Sequence, residues 1–286
     1  RLTAQQIGDL LKRIKPKVLF YEDRFDGLVQ SLKLPGSIKR SIEFGTDASL
    51  YDQEVMAAGP RPVNIPLSME DIQFYIHTGG TTGTPKVCLV SFRQMIWNSF
   101  NMIVTGAGKS GINQKVLLTF PLFHIGGWNT VTPIFHAGGR IVMMREFNAD
   151  LVLQLVEEER ITNFGGVEAM FRMILQSGRF PAADLSSLEY ISSAGAPCSA
   201  EVMRPFWERG IKMTQSYGLT EGGPSNVFFV PEGYAMQQLE AKAGSIGFPM
   251  FHCDCKIVNT EGKQAAPGEA GELCFRGPHV FSGYLD

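Results

Sequence analysis

Residues 140–164 read RIVMMREFNADLVLQLVEEERITNF, and this stretch decides the fold. Arg140–Met144 is a short apolar run of strand length, and Ile161–Phe164 is another. Between them, residues 149–160 place apolar side chains at helical spacing, and Asn148 stands where an N-cap belongs. Strand, helix and strand joined by short loops specify a βαβ unit and parallel strands. The alternation continues outward. Strand-like runs recur at Val116–Phe120, Leu188–Ser193 and Ile211–Gln215, and helix-like runs at 168–177 and 199–209. Ser199 is placed to cap the last helix, with Glu201 and Glu208 on its outer face. An α/β fold is expected, with mainly parallel sheets and flanking helices.

Upstream, Thr3-Ala4-Gln5-Gln6 is a capping-box pattern, followed by Ile7, Leu10, Leu11 and Ile14 at helical spacing. Pro16 ends that helix, and Val18–Tyr21 reads as a buried strand. Residues 45–68 hold three prolines and few periodic positions, which suits a surface connection. A strand at Ile72–Ile76 follows, then a Gly/Thr loop, then a helix from about 93 to 103. Beyond about 240 the pattern turns to short strands with turns at Asn259–Gly262 and Ala266–Gly268, as in an antiparallel or barrel-like segment. Three regions are expected: 1–114, 115–238 and 239–286.

The 286 residues carry 26 Lys+Arg against 28 Asp+Glu, a formal charge of −2. That balance argues against a protein that wraps nucleic acid or coats an anionic membrane. With 44% hydrophobic and 19% charged residues and 20 Phe, the chain builds a large core rather than a disordered coil. No apolar run approaches the ~18 residues of a membrane span. Five scattered cysteines suggest a reducing, cytoplasmic setting rather than a disulfide scaffold. His252, Cys253, Cys255, Cys274 and His279 match no zinc spacing, and strand alternation would put Cys253 and Cys255 on one face. The chain begins with Arg1 and stops at Asp286 just after a strand pattern, so both ends read as cut.

Four segments carry chemistry. The first is Thr78-Gly79-Gly80-Thr81-Thr82-Gly83-Thr84-Pro85-Lys86, directly after a strand. Its glycines let backbone N–H groups approach a ligand, its threonines add donors, and Lys86 adds a positive charge, which suits polyphosphate oxygens. By composition alone it is also an ordinary flexible turn. It is not a Walker A loop, because Pro85 precedes and Val87 follows the lysine, and it lacks the GxGxxG spacing. No GxSxG elbow occurs in the chain. The second is Gln215-Ser216-Tyr217-Gly218-Leu219-Thr220-Glu221. Here Tyr217 beside Gly218 can lay its ring on a planar base, Thr220 offers a hydroxyl, and Glu221 offers a hard oxygen ligand for Mg²⁺. Alone, a Tyr-Gly pair is a common strand end. The third is Ser192-Ser193-Ala194-Gly195-Ala196-Pro197, at the carboxyl end of a strand, where α/β sheets bind ligands. The fourth is Pro121-Leu122-Phe123-His124-Ile125-Gly126-Gly127-Trp128, in which a lone His among aromatic rings usually belongs to a core.

Together these segments resemble the adenylate-forming enzymes, which include acyl-CoA synthetases, luciferases and peptide-synthetase adenylation domains. Residues 78–86 match that family's phosphate loop, with Val87 where glycine is usual, and 217–221 match its Tyr-Gly-x-Thr-Glu. Gly195-Ala196-Pro197, Gly247-Phe248-Pro249 and Gly271-Glu272-Leu273 with Arg276-Gly277 resemble further family elements in order. The resemblance implies an incomplete large N-terminal domain with two α/β lobes and the start of a small β-barrel-like portion. It implies ATP-dependent activation of a carboxylic acid, with Mg²⁺ and with CoA as acyl acceptor. By that likeness residues 78–86 hold the β- and γ-phosphates, and Gly195–Pro197 with Ser216, Tyr217 and Gly218 frame the adenine. Thr220 would meet the α-phosphate, Glu221 the metal, and His124 the reacting carboxylate. The family's amino-acid-recognising Asp is absent near Phe123-His124, so Phe123, Trp128, Val131 and Phe135 are expected to select an apolar fatty or aryl acid. An acyl-AMP ligase, a luciferase-like enzyme and a non-catalytic nucleotide-binding fragment remain the alternatives. The family's ribose-binding Asp, hinge and catalytic Lys have no match in the chain.

Overall fold

The computed structural model describes residues 2–46, 49–78, 86–105 and 113–285. Helix α1 (Ala4–Ile14) starts as its sequence specifies. Gln6 N donates to Thr3 Oγ1 at 3.3 Å, and Thr3 N donates to Gln6 Oε1 at 2.9 Å. Strand β1 (Val18–Glu22) then pairs in parallel with β2 (Arg40–Phe44), across the short helix α2 (Asp26–Ser31). The expectation of a buried strand at 18–21 is corrected here: Val18 and Phe20 are 41% and 50% exposed. A sheet of two strands has too little area to bury both faces.

An antiparallel hairpin follows, β3 (Ile72–Thr78) with β4 (Lys86–Ser91), and Thr78 stands opposite Lys86 at its open end. Helix α3 (Phe92–Thr105) leaves β4 directly. The main sheet contains β5 (Lys115–Leu118), β6 (Arg140–Met143), β7 (Asn163–Gly166), β8 (Tyr190–Ser193), β9 (Lys212–Leu219), β10 (Gly223–Phe228) and β11 (Phe248–Pro249). Their spatial order is β11-β10-β9-β8-β7-β5-β6. The five strands from β6 to β9 are parallel, and β10 and β11 are antiparallel. The antiparallel portion therefore begins at 223, earlier than the composition change near 240.

The order places β5 between β6 and β7. Helices α4 (Ile125–Ala137) and α5 (Ala149–Glu158) thus cross in opposite directions, and right-handed crossovers put them on opposite faces. Accordingly α4 packs on α3 and β10, while α5 packs on α6 (Glu168–Gln176), which meets α7 (Ala200–Glu208). The strand about which the connections reverse opens a crevice at its carboxyl end, here just after Leu118.

The main core fills the α5–α7 face. Leu117, Val152, Leu153, Phe164, Phe171, Ile191, Met203, Phe206 and Met213 are all buried there. Burial of side chains this size stabilises by about 1.5–3 kcal/mol each. Asn148 caps α5 as expected, accepting from Leu151 N at 2.9 Å. Ser199 precedes α7, but its Oγ donates to Glu168 Oε1 at 3.1 Å instead of capping the helix. Helix α8 (Met236–Ala241) closes this side against α7. The last hairpin, β12 (Asp254–Val258) with β13 (Glu272–Arg276), is antiparallel as its turns predicted. Cys253 lies before β12 and is buried, whereas Cys255 in the strand is exposed, so strand alternation does not relate the two.

Candidate active site

Three of the singled-out segments meet at the carboxyl edge of the parallel strands. His124 follows β5, Gly195–Pro197 follow β8, and Tyr217–Leu219 end β9, from which Thr220–Gly222 turn into β10. Each is held by a specific local device. His124 is the N-cap of α4, where its Nδ1 accepts from Gly126 N at 3.0 Å. That bond needs an unprotonated Nδ1, so the ring's remaining proton sits on Nε2. The imidazole is exposed on one side, but burial of the other and the nearby His77 lower its pKa. Gly195 turns at φ +84°, a left-handed conformation that favours glycine, and leaves 195–197 exposed on the rim. Gln215 fastens this turn to β9: its Oε1 accepts from Cys198 N at 2.7 Å and its Nε2 donates to Cys198 O at 3.1 Å.

Tyr217 is partly exposed and stacks on Phe275 of β13, with ring centroids 6.0 Å apart. Gly218 is required by a close approach, since a Cβ there would overlap the Pro224 carbonyl oxygen. Thr220 is buried, and its carbonyl accepts from Gln94 Nε2 of α3 at 2.8 Å. Ser216 directly precedes Tyr217 on β9. It joins Ser192, whose Oγ donates to Ser216 Oγ at 3.3 Å, in the wall of a cavity below.

Of the Gly/Thr loop, Thr78 and Lys86 anchor the hairpin, and Gly79, Gly80, Thr81, Thr82, Gly83, Thr84 and Pro85 lie outside the described residues. Lys86 is nevertheless brought to Glu221. Its ammonium lies 4.8 Å from the centre of the Tyr284 ring, whose hydroxyl donates to Glu221 Oε1 at 2.8 Å. That hydrogen bond, with burial and the carboxylate's charge, pushes the Tyr284 phenol up to about 12. Cys88, fully buried beside Thr78 and Glu221, has its thiol pushed up to about 12, chiefly by burial. It is therefore an inert packing group at neutral pH. Among the described residues no three His, Cys, Asp or Glu side chains cluster to hold a metal by themselves.

The cavity lies between the sheet and the α3–α4 pair. Met102, Ile103, Val116, Pro133, Ile134 and Phe228 form its apolar wall. Gly165, Ser192 and Ala194 line it nearer the strands' carboxyl ends, and Asn163 and Tyr190, a directly paired couple, line it two residues lower. From α4 it takes Asn129, Thr130, Pro133, Ile134 and Ala137. The four residues expected to select the acid do not line it. Trp128 stacks on Phe74 at 4.2 Å, Phe123 and Phe135 are each 73% exposed, and Val131 lies off the cavity-facing side. The helical period explains this, because 129, 130, 133, 134 and 137 share one side of α4 and 128, 131 and 135 another.

Across residues 1–285 the chain matches the AMP-binding enzyme family. It belongs to that family. It is 33% identical to feruloyl-CoA synthase of Amycolatopsis sp. over 232 residues, covering 81% of this chain and 46% of that protein. It is 31% identical to indoleacetate–CoA ligase of Aromatoleum aromaticum over 289 residues, 99% of this chain and 55% of that protein. Its fold matches the N-terminal domain of FACL13 from Mycobacterium tuberculosis with a TM-score of 0.88 at 23% identity, covering 100% of this chain and 70% of the other. The chain thus spans about half the length of the curated relatives it matches. Beside the motif residues of this AMP-binding family member the structure places others that no motif marks: Tyr284, Cys88, Gln94 and the inner side of α4. Each acts through a partner distant in sequence, and no local pattern signals such a pairing.

Proposed function

We propose that this chain supplies the nucleotide- and acid-binding part of an acyl-CoA ligase that forms an acyl-adenylate from ATP and a carboxylic acid. The observation that carries this reading is the juxtaposition of the 195–197 and 217–221 rim, His124 and a mostly apolar cavity at one sheet edge. In the first step a carboxylate oxygen bonds to the α-phosphorus of ATP while the bond to pyrophosphate breaks. In the second, the thiol of CoA attacks the acyl carbon and AMP leaves with the bonding electron pair. Tyr217 offers its ring to adenine, Gly195, Ala196 and Pro197 border the base, and Thr220 contacts the α-phosphate. Thr78 and Lys86 frame the loop that takes the β- and γ-phosphates. His124, kept neutral with its proton on Nε2, is suited to donate a hydrogen bond to the acid's oxygen without a competing charge.

The carboxylate of Glu221 beside the Thr220 turn is a hard oxygen donor of the kind Mg²⁺ takes alongside phosphate oxygens, so these residues fit the ion. When bound, Mg²⁺ would neutralise charge on the phosphates. The acid's body meets the apolar wall and its far end meets Asn163 and Tyr190, ~7 Å below the Gly165–Ser192 layer at 3.3 Å per strand residue. That gradient favours an aryl acid with a polar far substituent over a saturated fatty chain. The two relatives named for ferulate and indoleacetate support the same class. No membrane or nucleic-acid partner enters this reading, and no helix among the described residues is long and apolar enough to cross a membrane.

Two experiments test it. A hydroxamate-trapping screen of aryl and fatty acids should give adenylate with aryl acids when this chain is joined to the rest of a ligase. Lys86→Ala and Glu221→Ala should each cut ATP–pyrophosphate exchange at least tenfold, as loss of a charged phosphate or metal contact costs about 1.5–3 kcal/mol. Unchanged exchange in both variants would sink the assignment. Because the chain spans about half of its relatives, a second reading stands beside the first: the 286 residues alone bind nucleotide and make no thioester. Detection of acyl-CoA from them would overturn that reading.

A further inference from the structure

We propose that Tyr284 is a positioning residue that ties Glu221 and Lys86 into one unit, pre-aligning the Glu221 carboxylate for a divalent cation. The inference rests on the reading of Lys86 and Glu221 given above and adds a third residue to it. Tyr284 reaches both charged groups at once. Its hydroxyl donates to Glu221 Oε1 at 2.8 Å, and its ring face lies 4.8 Å from Lys86 Nζ. A carboxylate fixed through one oxygen loses little further freedom when its other oxygen meets a cation, and the ring holds the ammonium without competing for that oxygen. A lysine paired directly with Glu221 would instead neutralise the charge the cation needs. The aromatic spacer keeps the two charges close but apart.

The tyrosine is itself held by the backbone around it. Residues 282–285 lie antiparallel to β4: Leu89 N donates to Gly283 O at 2.9 Å, Ser282 N to Leu89 O at 3.2 Å, and Leu285 N to Val87 O at 2.8 Å. Tyr284 therefore stands opposite Cys88, two residues along the strand from Lys86. Phe281 N donates to Glu221 O at 3.0 Å, so the same strap is also pinned to the turn carrying the carboxylate. Arg93 of α3 donates to the carbonyls of Pro278 and Val280, and Arg13 of α1 donates to Leu285 O at 2.8 Å. The Phe281 ring meets the Tyr284 ring edge-on at 5.0 Å. A side chain so fixed transmits alignment rather than following its partners.

The test is a titration of ATP binding against Mg²⁺ by calorimetry on the 286-residue chain, with urea midpoints recorded to confirm folding. Tyr284→Phe keeps the ring under Lys86 and removes the hydroxyl. It should raise the Mg²⁺ concentration for half-maximal binding about tenfold and leave binding in EDTA unchanged. Tyr284→Leu removes the ring as well and should also weaken binding in EDTA. A Tyr284→Phe titration that superimposes on wild type overturns the proposal, because loss of packing alone would move both conditions equally. Glu221→Gln separates the two levels of inference. If it shifts the Mg²⁺ dependence and Tyr284→Phe does not, only the positioning role fails. If Glu221→Gln has no effect, or the wild-type chain binds no nucleotide, the site assignment fails with it.

Discussion

At the scale of single residues, Gly218 shows how narrow the tolerance at the nucleotide rim is. Adding a methyl group there would drive it into the backbone of Pro224 and Ser225, which cannot move without parting β9 from β10. Gly218→Ala should therefore cost about 1–3 kcal/mol in urea denaturation, as overpacking does. Gly178→Ala, with nothing within 4 Å of the new atom, should stay within about 0.5 kcal/mol of wild type. Equal midpoints for the two variants would show that the strands tolerate separation. The roles proposed for Tyr217, Thr220 and Glu221 come from residue type and order, because a ring, a hydroxyl and a carboxylate after a strand have few shared uses. Tyr284 was not legible. Lys86 is brought to it by pairing with a strand almost 200 positions away, and Glu221 by a turn 63 positions away, which no local pattern encodes.

At the scale of elements, α4 is where sequence and structure part. The sequence carries no helix expectation over 125–137, because Gly126, Gly127 and Pro133 dilute the helical signal there. With 125–137 helical, the period of 3.6 turns Asn129, Thr130, Pro133, Ile134 and Ala137 to the cavity, so under the proposed function these rather than the aromatic side face the acid. Under that proposal substrate choice follows from them. Ala137→Phe fills the cavity between Met102 and Val116 and should lower exchange with the larger aryl acids at least tenfold, with the smallest accepted acid little affected. Phe135→Ala, on the exposed side, should leave the order of accepted acids as in wild type. A changed acid order in Phe135→Ala alone would return specificity to the aromatic side. The regular βαβ elements from 140 to 215 needed no such revision, because strong periodicity and short loops leave them few alternatives.

At the scale of the whole molecule, the alternation of strands and helices from 140 to 215 was readable in advance, but the placement of β5 between β6 and β7 was not. Periodicity fixes what an element is and not which neighbour it takes. That placement brings α3, α4 and the 277–285 strap together on the site's side of the sheet, and it seals His279 at their junction. His279 is fully buried, and neither ring nitrogen has a hydrogen-bond partner among the described residues. Burial, His252 and Arg93 all lower its pKa, and His124 is lowered by burial and His77. The sign of the consequence is fixed. Below the unfolded value of about 6.5 the unfolded chain takes up protons on both histidines before the folded chain does. Stability should therefore be full above pH 7 and fall as pH drops from about 6.5 toward the lowered folded values. The carboxylates with lowered pKa, Glu168, Asp184 and Glu269, act only at more acidic pH and leave this window to the histidines. Urea midpoints between pH 7.5 and 5.5 should fall for wild type and fall less for His124→Gln combined with His279→Gln. The double variant's own midpoint at pH 7.5 serves as its reference, so any packing loss cancels. Identical pH slopes for the two proteins would mean that His279 gains its proton in the folded state as readily as in the unfolded one, and that its sealed position costs the imidazolium nothing.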